Sequence, residues 1–372
     1  MIRVAYVVTD LFKCGPIQQT LNNIKYLDRN MFEPYIVTIY PEDEKTSQLP
    51  LFVKYAKHVY APTSKLQVML GYIPHLKKAL EEIEPDVVHS LGVFPDYAVS
   101  TIGKYRQVMT LRNYVWDDYP ARRGKILGYI MSKMQLHARK RADKAVVCSK
   151  SLSNIYKERM GLDIDYVQNG VDLDIFAAPS MSKLELRQRL NLPKEKIIFT
   201  YIAPLIPRKN HKFLIEGFVK YCKDYNKNNV MLLLLGDGPL LRGLRSKYEK
   251  EESVLFGGNI LNVSDYLHAS DVFISSSLSE GLPNSVLEAI ASGLPVVLSD
   301  IPQHAELLEK DSYVGVLYMQ NSITSLISVL KNTYDNIISI KESVKKVDVE
   351  SFSAKTTSKK YQEIYKTLIN TK

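Results

Sequence analysis

The sequence predicts a two-domain α/β protein, each domain a doubly wound parallel sheet, and three observations carry that expectation. The chain has 372 residues, more than one ordinary hydrophobic core takes up and enough for two. Apolar runs of strand length alternate with helical stretches along the whole chain, the pattern of buried parallel strands joined by crossover helices. Residues 271–298 hold the repeating unit in one place: the run DVFIS, a loop, a helical stretch closed by Gly293, and a second apolar run, PVVL.

The first domain is expected to carry strands at 4–8, 35–39, 87–89, 108–111 and 145–148, with helical stretches between them such as 18–27 and 66–82. Strands at 197–202, 230–235, 254–256, 272–275 and 296–298 make the second. Residues 172–193 connect the two, with Pro179, Pro193 and a charged helix at 183–190. The stretch 351–368 reads as a helix with Tyr361 and Tyr365 one turn apart. Doubly wound sheets bind ligands at the C-terminal ends of their strands, so the loops that leave those ends are the places to look for chemistry.

Composition narrows the function classes. Hydrophobic residues make up 45% of the chain and charged residues 24%, as in soluble globular proteins, and no low-complexity tract or repeat is visible. No run of eighteen apolar residues predicts a transmembrane helix. The start, MIRVAYVV, reads as a first strand and lacks the longer apolar core of a signal peptide. Cys14, Cys148 and Cys222 are too scattered for a metal site and fit a reducing cytoplasm. The net charge is +9, and residues 121–150 hold nine Lys and Arg against a single acid, Asp143. Such a patch suits phosphates of lipid headgroups, of a lipid diphosphate or of nucleic acid; a solvated helix face is the plainer reading. Nucleic acid is the least favoured partner, because no recognised binding motif accompanies the bases.

The most informative stretch is residues 275–300, SSSLSEGLPNSVLEAIASGLPVVLSD. Gly281 lets backbone approach a ligand closely. Pro283 stands just ahead of a helix, where a missing N–H costs little. The N–H groups of Asn284 and Ser285 then face an anion, helped by the helix dipole. Glu280 lies on the loop and Glu288 eight residues later on the helix. This suits a nucleotide sugar: the helix start takes the diphosphate, and a carboxylate accepts two hydrogen bonds from a vicinal diol. By spacing alone, a buried crossover with two solvated glutamates is an equal reading.

The whole string resembles the E-x7-E signature region of family 4 glycosyltransferases of the GT-B type. That resemblance implies two facing Rossmann-like domains with a cleft between them: an acceptor-binding domain at 1–177, a nucleotide-sugar domain at 178–350, and a C-terminal helix at 351–372 crossing back to the first. It implies a retaining, metal-independent transfer of a hexose from a nucleotide diphosphate sugar, most commonly a UDP-sugar, to a saccharide hydroxyl, with no cofactor. It also implies an acceptor linked to a lipid diphosphate, in surface polysaccharide biosynthesis, and a cytoplasmic enzyme peripheral on the inner face of the membrane.

Residue by residue, the resemblance assigns the departing diphosphate to Lys209 in the stretch FTYIAPLIPRKN. Most members carry glycine and arginine where this chain has Ala203 and Pro204, and Arg208 is the substitute for the missing charge. An exposed basic turn is the plainer reading there. Catalytic roles fall to Glu280, Lys209 and Arg208. Donor binding falls to Gly15, in the first loop, to Gly258 and Ile260 beside the base, and to Lys209, Glu280, Gly281, Leu282, Asn284, Ser285 and Glu288. In this assignment Glu288 holds the ribose diol and Glu280 the donor sugar. Acceptor binding falls to His89, at a strand end, and to Arg112 and Asn113, where many members have a histidine. A buried structural histidine is the plainer reading of His89. Asp117 and Asp118 read either as facing the acceptor hydroxyl or, by a slight preference, as a solvated turn. The pairs Asp163/Asp165 and Asp172/Asp174 resemble a D-x-D metal motif, but that motif belongs to glycosyltransferases of another fold, so no metal site is expected.

Two rivals remain. One is a non-catalytic sugar-nucleotide or glycan-binding protein of the same fold, which Pro204 and Arg112 favour. The other is a nucleotide-sugar isomerase, which needs further acid–base residues near the donor. Finally, the bases of 121–150 interleave with Ile126, Leu127, Tyr129, Ile130, Met131, Met134 and Leu136 at roughly helical spacing. One face is therefore expected on an anionic membrane and another on the core.

Overall fold

The computed structural model describes residues 1–43, 45–60, 71–309 and 314–371. It divides into two compact units, one formed by Met1–Gly170 with Ala354–Lys372 and the other by Val171–Ser353.

The first unit is built on seven parallel strands: β1 (Ile2–Val8), β2 (Phe32–Thr38), β3 (His58–Tyr60), β4 (Val87–Ser90), β5 (Arg106–Leu111), β6 (Lys144–Val147) and β7 (Asp165–Tyr166). Their order across the sheet is β3-β2-β1-β4-β5-β6-β7. The inner strands are continuous apolar runs because both faces are covered. Alternate residues of β1 serve two cores. Val4, Tyr6 and Val8 pack with Ile17, Leu21, Tyr361 and Tyr365. Ala5 and Val7 pack on the opposite face with Leu76, Leu80 and Val99. The helix Gly15–Lys25 starts three residues ahead of the expected one, since Pro16 occupies its first turn and a proline loses nothing there. Of the helix expected at 66–82, residues 66–70 lie outside the described residues, and the helix Tyr72–Ile83 covers the rest.

The second unit holds six parallel strands: β8 (Ile197–Ile202), β9 (Val230–Leu235), β10 (Val254–Gly258), β11 (Val272–Ser275), β12 (Val296–Ser299) and β13 (Gly315–Tyr318). Their order is β10-β9-β8-β11-β12-β13. Buried Asp271, at the start of β11, receives Arg187 at 2.6 Å, Lys183 at 2.5 Å and Lys341 at 2.6 Å. Burial raises its pKa, but the lysine charges overcome that and hold it at about 2, so two helices, Lys183–Arg189 and Ile337–Val344, are pinned to one ionised carboxylate. The helix Lys183–Arg189 begins with a complete capping box between Ser182 and Glu185, two orphan donors satisfied reciprocally.

Strands β3, β7 and β13 are additional to those read from the sequence. The first two are edge strands of three and two residues, too short to leave an apolar run. The units divide after Gly170 and Ser353, not after 177 and 350. Val171 donates its N–H to the Phe352 carbonyl at 2.8 Å and bridges Ser353 in parallel. The two chain crossings are thereby tied together inside the second unit.

Candidate active site

β8 and β11 are neighbours in the centre of the second sheet, and both loops of interest leave their C-terminal ends. After β8 the chain turns through a 3-10 element, Pro207–Lys209, into the helix His211–Asp224. After β11 come Ser275, Ser276 and Ser277, the loop bearing Glu280, and the helix Asn284–Ala291. The serines stitch the loops together. Ser276 Oγ donates to the carbonyl of Lys209 at 2.9 Å, and the Leu278 amide donates to the carbonyl of Arg208 at 2.8 Å. Tyr201 OH lies 2.9 Å from Ser277 Oγ and donates to the Lys209 carbonyl at 3.2 Å. Ser299 Oγ fixes the Ser277 carbonyl at 2.6 Å.

That stitching brings Glu280 against both cations. One carboxylate oxygen receives Lys209 Nζ and the other receives Arg208 Nη1 at 2.8 Å; Arg208 also donates to the Ser279 carbonyl. Glu280 and Lys209 are buried. Burial pushes the Glu280 pKa up, but Lys209 and Arg208 outweigh it and hold the carboxyl at about 2. Burial pushes Lys209 down, with Glu280 opposing. Glu280 is thus an ionised, acceptor-only group at neutral pH. Two cations against one carboxylate leave the cluster one positive charge. His304 and His211 lie in the same surroundings and are held neutral, by burial first: near 4 for His304 and near 3 for His211.

The helix Asn284–Ala291 has Pro283 as its N-cap residue, with no side-chain cap. The Val286 amide donates to the Pro283 carbonyl at 3.2 Å, so Asn284 and Ser285 precede the helical ladder. Glu288 stands one turn further on, half-buried like Asn284 and Ser285. Gly281 and Leu282 are buried beside Glu280. The G-x-G turn after β9 is a backbone contact. A Cβ on Gly236 would lie 2.1 Å from the Ala203 carbonyl oxygen, and one on Gly238 would lie 2.7 Å from that of Leu205. Only glycine admits this approach of the two loops. The Gly258 carbonyl accepts from the Gly236 amide at 2.7 Å, and the Ile260 side chain packs with Leu186, Leu192 and Leu235. The structure therefore gives Ile260 a core contact of its own.

In the first unit, His89 is buried with both ring nitrogens engaged. Nδ1 lies 2.7 Å from Tyr365 OH and Nε2 lies 2.9 Å from Thr110 Oγ1. Its ring is 4.9 Å from that of Tyr361, and burial holds its pKa near 3. This is the geometry of a structural histidine, and it corrects the acceptor contact expected for His89: no ring nitrogen is left to offer. Arg112 donates to Asn169 Oδ1 at 2.6 Å, while its Nε is buried without a partner. It lines a hollow of about 10 Å³ with Gln19, Asn23, His89, Asn169 and Tyr361. Such a hollow is about the size of one water. The Asn113 carbonyl accepts from Tyr156 OH at 3.1 Å. Gly15 opens its helix exposed to solvent.

Asp117 and Asp118 are not in a turn. They occupy the first turn of the helix Val115–Arg123, paired with Arg159 at 2.8 Å and Arg122 at 3.4 Å. Among the D-x-D aspartates, Asp163 and Asp165 pair with Lys157 and Lys144, and Asp172 caps the helix Leu173–Phe176. The sequence reading missed Tyr201, His304 and the linking role of the serines. Three successive serines at a strand end were the available signal, since buried hydroxyls there need partners.

Two family models match this chain. Glycosyltransferase Family 4 covers residues 18–175 and Glycosyl transferases group 1 covers residues 182–342, one on each unit. Among relatives, an Escherichia coli UDP-Gal:alpha-D-GlcNAc-diphosphoundecaprenol alpha-1,3-galactosyltransferase is 28% identical over 279 residues, spanning 71% of this chain and 70% of the relative. The O-antigen biosynthesis glycosyltransferase WclY of Escherichia coli is 24% identical over 375 residues and 99% of each chain. The crystal structure of Anabaena HepE in complex with UDP-glucose superposes with a TM-score of 0.82 at 14% identity, covering 99% of this chain and all of that one. This likeness shows the fold, which is GT-B. With both models placed on their respective units and the E-x7-E loop assembled against a lysine and an arginine, the chain belongs to the family 4 glycosyltransferases.

Proposed function

We propose that the protein transfers a hexose with retention, and without a metal ion, from a nucleotide diphosphate sugar to a saccharide carried on a lipid diphosphate, as a step in surface polysaccharide biosynthesis. The observation that carries this reading is the Glu280–Lys209–Arg208 cluster at the C-terminal ends of β8 and β11, ahead of the helix Asn284–Ala291. Its surplus positive charge and the helix start suit a diphosphate. UDP is the first choice of nucleotide, since a relative is named for UDP-Gal and a structural neighbour holds UDP-glucose. The lipid-linked acceptor follows the name of the same relative.

The sugar carbon passes through an oxocarbenium-like state, as in glycoside hydrolysis. The bond from C1 to the β-phosphate oxygen breaks, and the acceptor oxygen bonds to C1 on the same face. The acceptor proton goes to a departing phosphate oxygen. Lys209, Arg208 and the amides of Asn284 and Ser285 stabilise the charge that develops on that diphosphate. Glu280, ionised at neutral pH, aligns the two cations and accepts hydrogen bonds from donor hydroxyls. Glu288 accepts from the ribose diol.

The test is turnover against a panel of UDP- and GDP-sugars with a lipid-diphosphate saccharide, in EDTA, with the anomeric configuration of the product read by NMR. Turnover in EDTA with a retained configuration is expected. An inverted product, or turnover that returns only with manganese or magnesium, overturns the mechanism. Nucleotide binding without any turnover favours the non-catalytic rival that Pro204 and Arg112 suggest.

A further inference from the structure

The strand order of the first sheet reverses at β1, which lies between β2 and β4. Doubly wound sheets bind ligands outside the strand ends at such a switch point. Residues 9–14 leave β1 there and lead into the helix Gly15–Lys25. Their backbone is fastened to the segment that follows β2. The Thr9 carbonyl accepts from the amides of Ile39 at 3.2 Å and Tyr40 at 2.9 Å, and the Leu11 carbonyl accepts from the Gln48 amide at 2.8 Å. The Leu11 amide donates to both Glu42 oxygens, at 3.0 and 3.2 Å. Phe12 forms an antiparallel bridge with Ser47, whose Oγ donates to the same Glu42.

The two residues so held differ sharply in environment. Leu11 is fully buried, while Phe12 is 53% exposed. Of the eleven phenylalanines, all among the described residues, Phe12 alone is exposed. The bonded backbone keeps its ring from settling onto the core, so apolar aromatic surface stays in water that a ligand could cover. Asp10 stands beside it. One oxygen, Oδ1, accepts from the Phe12 amide at 3.1 Å, which ties carboxylate and ring into one short turn. Among the described residues no ion pair engages half-buried Asp10, and Oδ2 has no hydrogen-bond partner.

We propose that Phe12 and Asp10 form a subsite for one pyranose of the acceptor, with a C–H face of the sugar on the Phe12 ring and adjacent hydroxyls donating to the Asp10 carboxylate. A pyranose has both aspects. Its C–H groups carry slight positive charge and suit the negative face of an aromatic ring, and its hydroxyls suit an ionised, acceptor-only group. The pairing also selects against other occupants: a phosphate would be repelled by Asp10, and an acyl chain would leave that carboxylate without a donor. The inference deepens the proposed function and rests on it for the sugar being the acceptor's. It gives the acceptor a contact that does not depend on His89, whose ring nitrogens are both engaged.

The experiment is NMR of the full chain with the methyl pyranosides of glucose, galactose, N-acetylglucosamine and N-acetylgalactosamine, with no donor present. Saturation transfer to the protons of one sugar face, and an upfield ring-current shift of those protons, are expected with at least one glycoside. Phe12→Leu keeps the apolar bulk without the ring; it should abolish the upfield shift and weaken binding about fivefold. Phe12→Tyr should restore both. Asp10→Asn keeps an oxygen for the Phe12 amide and removes the charge, so binding should weaken about tenfold. In transfer assays the same two losses should appear in acceptor KM, with kcat and donor KM close to the parent. Thermal unfolding and UDP affinity, the latter read in the other unit, check that the variants fold. Absence of saturation transfer with all four glycosides overturns the proposal. So does a Phe12→Leu protein that binds them as the parent does with the upfield shift intact. The glycoside assay contains no donor, so its failure leaves the proposed sugar transfer standing, and absent turnover leaves glycoside binding standing.

Discussion

Around its central strands the second unit buries Glu280 with Lys209, beside half-buried Arg208, all three charged, whereas the first unit buries His89 among Tyr6, Thr110, Tyr361 and Tyr365, all neutral. The groups titrate accordingly. Opposed by burial, the two cations still hold Glu280 at about 2. Burial holds His89 near 3 and lifts the Tyr365 hydroxyl well above its usual value. A buried ion cluster is costly unless its charges are matched, and in this one a single carboxylate faces two cations. The hydroxyl cluster carries no net charge. Tyr365 OH reaches Tyr6 OH at 3.2 Å, His89 at 2.7 Å and Asn23 at 3.3 Å, and Tyr361 OH reaches Thr110 at 2.9 Å. It fastens the helix Ala354–Asn370 to the sheet of its own unit. One cluster is a charged site on two loops; the other is a joint.

The largest effect that distinguishes them is expected from Lys209→Ala. Glu280 would keep only Arg208, which is partly exposed. Breaking a buried pair costs about 3–5 kcal/mol, and Arg208 holds the loss to the lower end of that range. Transfer should fall about 10²–10³-fold, as when an oxyanion donor is removed, with UDP affinity falling less. Steady-state kinetics, UDP titration and chemical denaturation measure all three. The double variant Lys209→Met with Glu280→Gln should recover most of the stability and none of the rate. Equal losses in UDP binding and in rate would reduce Lys209 to uniform binding.

Protonation offers a second contrast, with opposite signs in the two units. Burial raises Asp96 in the first unit to about 7, against hydrogen bonds from Ser90 and Gln135. The folded state therefore keeps a proton that the unfolded chain releases above about 4. The stability Asp96 contributes is complete below that pH and is lost as pH rises through about 7, at no more than about 1.4 kcal/mol per pH unit. Glu280 runs the other way: its contribution is present above its unfolded pKa and is lost as pH falls towards about 2. Denaturation followed by Trp116, which reports the first unit, should show stability falling between pH 5 and pH 8 in the parent chain and a flatter profile in Asp96→Asn. Identical profiles would remove Asp96 from the account.

Legibility in the sequence followed the same division. Charged loops leave a motif, since Arg208, Lys209 and Glu280 stand at fixed places relative to strand ends, and the structure brings them together. The inner strands were legible because a strand buried on both faces must be a continuous apolar run. The joint was not legible. Tyr361 and Tyr365 read only as a helical pair, and nothing local in the sequence tells that the Tyr365 hydroxyl ends on His89 and Tyr6 and that of Tyr361 on Thr110, more than 250 residues away. The basic stretch 121–150 was half legible: the interleaving of bases and apolar residues was visible, but only the fold separates exposed Ile126 and Ile130 from buried Met131. Asp96 was invisible, because a carboxylate one turn into a helix reads as solvated until its neighbours are known.

Glu288→Gln probes the donor side more gently. Loss of a charge-assisted bond to a ribose hydroxyl costs about 1.5–3 kcal/mol, which is tenfold or more in kcat/KM for the donor. Glu288 is half-buried, and the amide preserves its shape, so melting should hardly move. Unchanged donor kinetics would detach Glu288 from the nucleotide.

The smallest effect on catalysis is expected from the joint itself. His89→Gln and Tyr365→Phe each remove part of a network that no solvent reaches, and a lost buried hydrogen bond costs about 1–3 kcal/mol when its partner is left unsatisfied. The two side chains share the 2.7 Å contact, so their effects should couple: the double variant should lose less than the two singles together, by about 0.5 kcal/mol or more. Acceptor KM should stay within about twofold of the parent in all three, because a structural role changes the fraction folded and leaves the bound geometry alone. If His89→Gln raised acceptor KM tenfold while melting unchanged, His89 would have to reach the acceptor. That would require a rearranged core in which Tyr365 and Thr110 release both ring nitrogens, and the division between charged site and neutral joint would fail at its clearest residue.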